Sequence, residues 1–133
     1  MNTTPYNLPE DLLYNEDSSW IRLESGVATI GIIHPVATTL KEFLFVQLPE
    51  KKSIRAGDIY VSLETLKWSG HLTSPLTGSI IDVNQTLYDE PSKINADPYG
   101  SWIIKLTPTK PEELHTLRRA QDITPWLNKT LKR

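Results

Sequence analysis

The chain of 133 residues contains no cysteine. That excludes a disulfide framework, a thiolate metal site and a catalytic thiol together. Any thiol or redox chemistry has to come from a group attached to the chain, and the expected compartment is the cytoplasm. Charge of one sign is also missing. The 14 Lys and Arg against 16 Asp and Glu leave a formal charge of −2, which gives no electrostatic reason to expect nucleic acid or an anionic membrane as partner. No apolar run approaches the roughly 20 residues of a spanning helix. Met1 to Glu10 has neither a basic stretch nor an apolar core, so no secretory signal is expected there. Histidine is scarce. His34, His71 and His115 are scattered, with no acid at ligand spacing, and read as loop or surface residues rather than metal ligands. No nucleophile-elbow motif supports a hydrolytic triad.

What remains is a composition that suits a globular fold, 38% hydrophobic and 23% charged, on a chain long enough to bury a core without staples. Ten prolines cut it into short pieces. Ser19 to Ile33 reads as a hairpin about Glu24-Ser25-Gly26. Pro35 to Glu42 reads as one or two helical turns, and Phe43 to Leu48 as an apolar strand stopped by Pro49. Ser53 to Asp58 is a turn around Gly57. Ile59 to Leu63, Leu72 to Pro75, Ser79 to Val83 and Ser101 to Leu106 are further strands. Trp20 and Trp102 are expected in the core. After Pro108 the character becomes helical. Thr109 is the expected N-cap, Pro111 stands near N1, and Glu112 and Glu113 fall in the first turn, where the helix dipole favours acids. Leu114, Leu117 and Arg118 continue that helix. Asp122 to Leu131 is a second helix with Pro125 near its start and Trp126, Leu127 and Leu131 as its apolar side. Lys129 to Arg133 reads as a solvated end. The fold class is mainly β, a small sandwich or barrel with short helices.

The informative stretch runs from Ser53 to Val83. Ile59 to Leu63 and Leu72 onward are separated by just enough chain for a tight hairpin, Glu64-Thr65-Leu66-Lys67-Trp68-Ser69-Gly70, with Lys67 at its tip. A lysine on a rigid exposed turn is what a modifying ligase needs, because the amine must enter another protein's active site. Glu64-Thr65-Leu66-Lys67, followed by Ser74-Pro75 and Gly78, resembles the lipoylation motif of the glycine cleavage system H proteins. The resemblance extends to Tyr14 with Trp20, to Ala28-Thr29-Ile30-Gly31-Ile32 and to Phe45-Val46-Gln47-Leu48-Pro49-Glu50. Asn95-Ala96-Asp97-Pro98-Tyr99-Gly100 with Trp102-Ile103-Ile104-Lys105 resembles the family's late signature.

The resemblance implies a single lipoyl-carrier domain over 1–133, of the biotinyl/lipoyl-like hybrid β type, with an N-terminal extension at 1–13 and a C-terminal helical segment at 109–133. It implies lipoate covalently bound at Lys67 and a non-catalytic carrier whose swinging arm serves several partner enzymes. Amide formation removes the lysine charge; the dithiolane exchanges with thiols, and the tether raises its concentration at each partner. Glu64, Thr65, Gly70, Ser74, Pro75 and Gly78 are the supporting motif, with Glu64 as an orienting or ligase-reading acid and Gly70 and Gly78 as permissive turn residues. Ser19, His34 and Trp68 are the candidate arm-docking contacts. The partners implied are a lipoate ligase or lipoyltransferase, dihydrolipoamide dehydrogenase, and either glycine cleavage enzymes or a heterodisulfide-reductase-like complex.

Four positions depart from the family pattern. Where the family has His and Glu before its Trp, the Glu holding the amine of an aminomethyl cargo, this chain has Ser18 and Ser19. Trp68 stands where a small residue is usual, and Lys41 where glycine is. A serine forgoes the charge-assisted bond a carboxylate makes to a cation. H-protein-like carriers also serve heterodisulfide-reductase-like sulfur oxidation, which needs no amine-binding acid, and the missing Glu favours that setting over aminomethyl transfer between glycine decarboxylase and aminomethyltransferase. An unmodified binding module of the same fold is a further reading. A biotinyl carrier is disfavoured because Leu66 and Trp68, not methionines, flank the lysine. A free-standing enzyme is the weakest reading, since no residue set supplies acid, base and nucleophile together.

Overall fold

Two consecutive residues with positive φ, Ser25 at 51° and Gly26 at 77°, close the first hairpin. That geometry matches the right-handed twist of the strands it joins, so β2 (Ser19–Glu24) and β3 (Val27–Ile32) pair in register from Ser19 opposite Ile32 to Glu24 opposite Val27. In the computed structural model, which describes residues 6–131, this hairpin belongs to a six-stranded antiparallel sheet. It contains β1 (Leu13–Tyr14), β2, β3, β9 (Ile104–Pro108), β8 (Gly78–Val83) and β5 (Ser53–Ile54), in that spatial order. A second sheet of three strands carries β4 (Phe45–Gln47), β6 (Ile59–Glu64) and β7 (Ser69–Thr73), in the same order as in the chain.

The two sheets share one core. Tyr14, Trp20, Ile21, Ile30 and Ile104 from the first meet Val46, Tyr60, Val61 and Leu63 from the second, each at most 1% exposed. The architecture is the expected β-sandwich with helical trim. Burying those side chains is its main source of stability, at about 1.5–3 kcal/mol each. The helices are α1 (His34–Leu40), α2 (Thr86–Asp89), α3 (Lys93–Ala96) and α4 (Ala120–Leu131). No helix among the described residues is long and apolar enough to cross a membrane.

Several elements shift from their expected bounds. The late strand begins at Ile104 rather than Ser101, because Trp102 is drawn aside: its carbonyl accepts the Asn84 side-chain amide at 2.8 Å. Trp102 is only half-buried, with the Lys105 ammonium 4.8 Å from its ring centroid, whereas Trp20 is fully in the core. The segment after Pro108 forms a 3-10 turn at Pro111–Thr116 with no side-chain cap. Thr109 does not cap it, because its amide and hydroxyl both donate to the Thr77 carbonyl. Glu113 is likewise spent on Thr77, accepting its amide and its hydroxyl at 2.7 Å each. α4 starts two residues early, and Pro125 lies inside it while Ile123 and Leu127 face the core. The described part of the N-terminal extension is anchored by Leu8 and Leu12, both buried; its residues 1–5 lie outside the described residues, as do Lys132, Arg133 and the side chains of Thr130 and Leu131.

Candidate functional site

The β6–β7 hairpin positions Lys67. Glu64 pairs with Ser69 and Leu63 with Gly70. The Thr65 amide then donates to the Trp68 carbonyl at 2.8 Å, closing a tight loop with Leu66 and Lys67 at its apex. The Thr65 hydroxyl accepts the Lys67 amide at 3.4 Å. Leu66 is 88% exposed and Lys67 is exposed beside it. Among the described residues, no hydrogen bond or ion pair engages the Lys67 ammonium. Such an amine is free to enter a modifying enzyme.

The supporting residues act differently from one another. Glu64 is exposed on the outer face, opposite Phe45 and Ser69, with no bond to its carboxylate among the described residues. Ser74 is buried and shapes the following turn, donating to the Leu76 carbonyl at 2.7 Å and accepting the Leu76 amide at 3.2 Å, with Pro75 between them. Gly70 and Gly78 are not turn residues. Both lie in strands, and what they supply is closeness: a Cβ on Gly70 would meet the Trp68 ring at 2.5 Å, and one on Gly78 the Thr107 carbonyl oxygen at 2.2 Å. Left-handed glycines are found elsewhere, at Gly26 and Gly57.

Beside the hairpin tip opens a groove of about 460 Å³ lined by Thr39, Leu40, Lys41, Glu42, Leu44, Thr65, Leu66, Lys67 and Trp68. Lys67 is therefore part of its wall. Trp68, half-buried against the edge of the core, contributes the only aromatic side chain. The opposite wall is the strap that leaves α1, and Asn95 holds it: its side-chain amide donates to the carbonyls of Ala37 at 3.1 Å and Lys41 at 2.7 Å, and its oxygen accepts the Phe43 amide at 3.0 Å. Lys41 adopts φ of 72° at the start of this strap, a conformation that favours glycine. Sequence reasoning missed this groove, because its two walls are some 25 positions apart in the chain; Asn95 was visible only as part of a motif.

Of the three candidate docking residues, only Trp68 lines the groove. Ser19 is fully buried, and its hydroxyl is hydrogen-bonded to that of Tyr60. It presents no surface to an arm. His34 stands at the first residue of α1, whose other end faces the groove; its amide donates to the Tyr99 hydroxyl at 3.1 Å. No group of three or more His, Cys, Asp and Glu among the described residues could hold a metal ion.

The glycine cleavage H-protein family model matches residues 12–130. The chain belongs to that family. Members are non-catalytic carriers with lipoate covalently bound to a lysine, and the groove-side Lys67, unbonded at an exposed tip, fits such a group. A probable glycine cleavage system H protein from Aeropyrum pernix is 42% identical over 112 residues, 83% of this chain and 78% of the relative. The H protein of Listeria innocua is 38% identical over 118 residues, covering 87% and 94%. The crystal structure of the H protein from Mycobacterium marinum superposes with a TM-score of 0.78 at 28% identity, covering 92% of this chain and 98% of that one. These relatives bear the glycine cleavage name, which favours that reading over the sulfur-oxidising one drawn from Ser18 and Ser19.

Proposed function

We propose that this protein is the lipoyl carrier of a glycine cleavage system, with lipoate joined in amide linkage to Lys67. The observation that carries the reading is the position of Lys67, an unbonded lysine at the apex of a rigid hairpin and on the rim of an apolar groove. Lipoate bound there supplies a dithiolane that is reduced, exchanges with thiols and carries a covalent adduct. The chain supplies position. The ladder of β6 and β7 fixes the hairpin, Thr65 holds its loop, and Leu40, Leu44, Leu66 and Trp68 offer apolar surface against which an uncharged arm can rest between visits. The partners under this reading are a lipoate ligase or lipoyltransferase that reads Glu64 beside Lys67, glycine decarboxylase, aminomethyltransferase and dihydrolipoamide dehydrogenase. A cytoplasmic address goes with the proposal and rests on the cysteine-free composition.

The test is intact mass and peptide mapping of the protein purified from its own host. One lipoyl group on Lys67, absent from Lys67→Arg, is the expected result. An unmodified Lys67 where other lipoyl proteins are modified would sink the reading and leave an unmodified binding module of the same fold. Loading assays with aminomethyl and sulfur donors then separate the two cargoes.

A further inference from the structure

β7 is a terminal strand of its sheet, and only β6 pairs with it. Backbone amides along such a strand point alternately toward and away from the neighbour. Ser74, just past the end of β7, donates to the Asp58 carbonyl on the β6 side, and the Thr73 amide points the other way, to the Asp17 carboxylate. By the same alternation the amides of Ser69 and His71 face away from β6. Among the described residues neither donates to anything in that direction, and both residues are exposed. Sheet edges are ordinarily guarded by lysine, proline or a bulge. Ser69-Gly70-His71 has none of these, and the irregularity in this pair lies between Ile59 and Val61, on β6.

We propose that the occupant of this edge is the β7 strand of a second copy of the chain, paired antiparallel about a two-fold axis at Gly70. The register follows from the donors that remain. The Lys67 amide is spent on the Thr65 hydroxyl and the Thr73 amide on Asp17, so Ser69 and His71 alone can bond outward. They stand symmetrically about Gly70. Ser69 of each copy therefore meets His71 of the other, and each such pair exchanges both of its backbone bonds. A two-fold contact of this kind is self-complementary and closes at the dimer. At the axis Gly70 faces Gly70 as a pair without hydrogen bonds, about 4.5 Å apart at Cα. The Trp68 ring lies across Gly70, where a Cβ would meet it at 2.5 Å. The two half-buried indoles thus come together at the axis and cover each other.

Charge fits the same register. The count that sets Ser69 opposite His71 sets Lys67 opposite Thr73 of the other copy, beside Asp17. Glu16 is answered by Arg118 at 3.3 Å, but no ion pair among the described residues engages Asp17. Its bonds from the amide and hydroxyl of Thr73 leave its charge in place. Each Lys67 ammonium accordingly meets an acid of the other copy. Amide formation at Lys67 removes the positive charge, so the dimer belongs to the unmodified chain and attachment of lipoate loosens it. That last step rests on the carrier reading given above, whereas the pairing does not.

The experiment is sedimentation equilibrium of the unmodified full chain, carried to about 1 mM because so short a contact belongs with transient interfaces. A monomer–dimer equilibrium is expected, with amide exchange at Ser69 and His71 that slows as concentration rises. His71→Pro removes an outward donor and no ladder bond, and His71→Lys places a guard at the same point should proline disturb the strand. Each is expected to weaken the dimer about tenfold or more. Lys67→Gln, and lipoylation of the parent by a lipoate ligase, should each weaken it roughly tenfold, since two exposed ion pairs are lost per dimer. A monomer at the highest concentration, or an association that His71→Lys or Lys67→Gln leaves as tight as the parent's, would overturn the proposal. If Lys67→Gln weakens the dimer but the ligase does not modify Lys67, the pairing stands and the carrier reading falls.

Discussion

The hydroxyl of Ser19 and that of Tyr60 are hydrogen-bonded to each other inside the core, where neither side chain has any exposed surface. Burial pushes the Tyr60 hydroxyl well above the ordinary tyrosine range, and the Ser19 bond only partly offsets this. A carboxylate introduced at position 19 would be buried beside that hydroxyl without a cation. Ser19→Glu is therefore expected to cost about 3 kcal/mol or more. Ser19→Ala, which merely leaves the Tyr60 hydroxyl unpaired, should cost about 1–3 kcal/mol. Thermal denaturation of both variants checks the order, and a Ser19→Glu protein as stable as the parent would show that position 19 can still host an amine-binding acid.

Gly70 and Trp68 make a second pair that one mutation separates. A methyl group at Gly70 would sit 2.5 Å from the Trp68 ring, so Gly70→Ala must displace the indole. The expected cost is about 1–3 kcal/mol, accompanied by a change in tryptophan emission. In a Trp68→Leu background the same substitution should be nearly neutral. A full penalty there would place the clash in the backbone instead.

How far the sequence was legible follows from the range of the interactions. The Ser25-Gly26 turn and the hairpin bearing Lys67 are local, and residue types a few positions apart specify both. The family motif reported the lysine for the same reason. Interactions across the chain were invisible. Nothing near Thr109 says that Thr77 will claim it, and nothing near Ser19 announces Tyr60, so a capped helix and a docking serine were both expected where neither forms. Phe43 to Leu48 reads as an apolar strand, but faces alternate along it, so that Val46 points inward while Phe45 is 46% exposed. The short helices α2 and α3 carry too few residues for a helical period to show.

Asn95 illustrates what such distant contacts do for the site. Its three bonds tie the end of α1 to Phe43 and so fix the strap that carries Lys41 and Glu42. Asn95→Ala leaves the Phe43 amide and two carbonyls without that partner. It should cost about 1–3 kcal/mol and speed hydrogen exchange at the Phe43 amide, with Lys67 still modified by the ligase. Unchanged exchange at Phe43 would mean that the strap holds itself.

Alkaline stability should be limited by three tyrosines. Burial raises Tyr60, as above, and also Tyr14, helped by the nearby Tyr99 and Asp11; it pushes Tyr99 up to about 12 against the lowering effect of the His34 amide. An unfolded chain ionises its tyrosines near pH 10, so above that pH the folded state binds more protons than the unfolded one. The stabilising difference is complete below about pH 10 and is lost as the pH rises toward 12. Each such group contributes a slope of about 1.4 kcal/mol per pH unit in that window. Urea unfolding at a series of alkaline pH values should show a steep fall with no counterpart between about pH 7 and 9. Tyr99→Phe removes one ionising group together with its bonds to His34 and Asn7, so it should be less stable at neutral pH and yet fall less steeply by about one proton. A parallel decline in the two proteins would mean that Tyr99 ionises in the folded state as readily as in the unfolded chain.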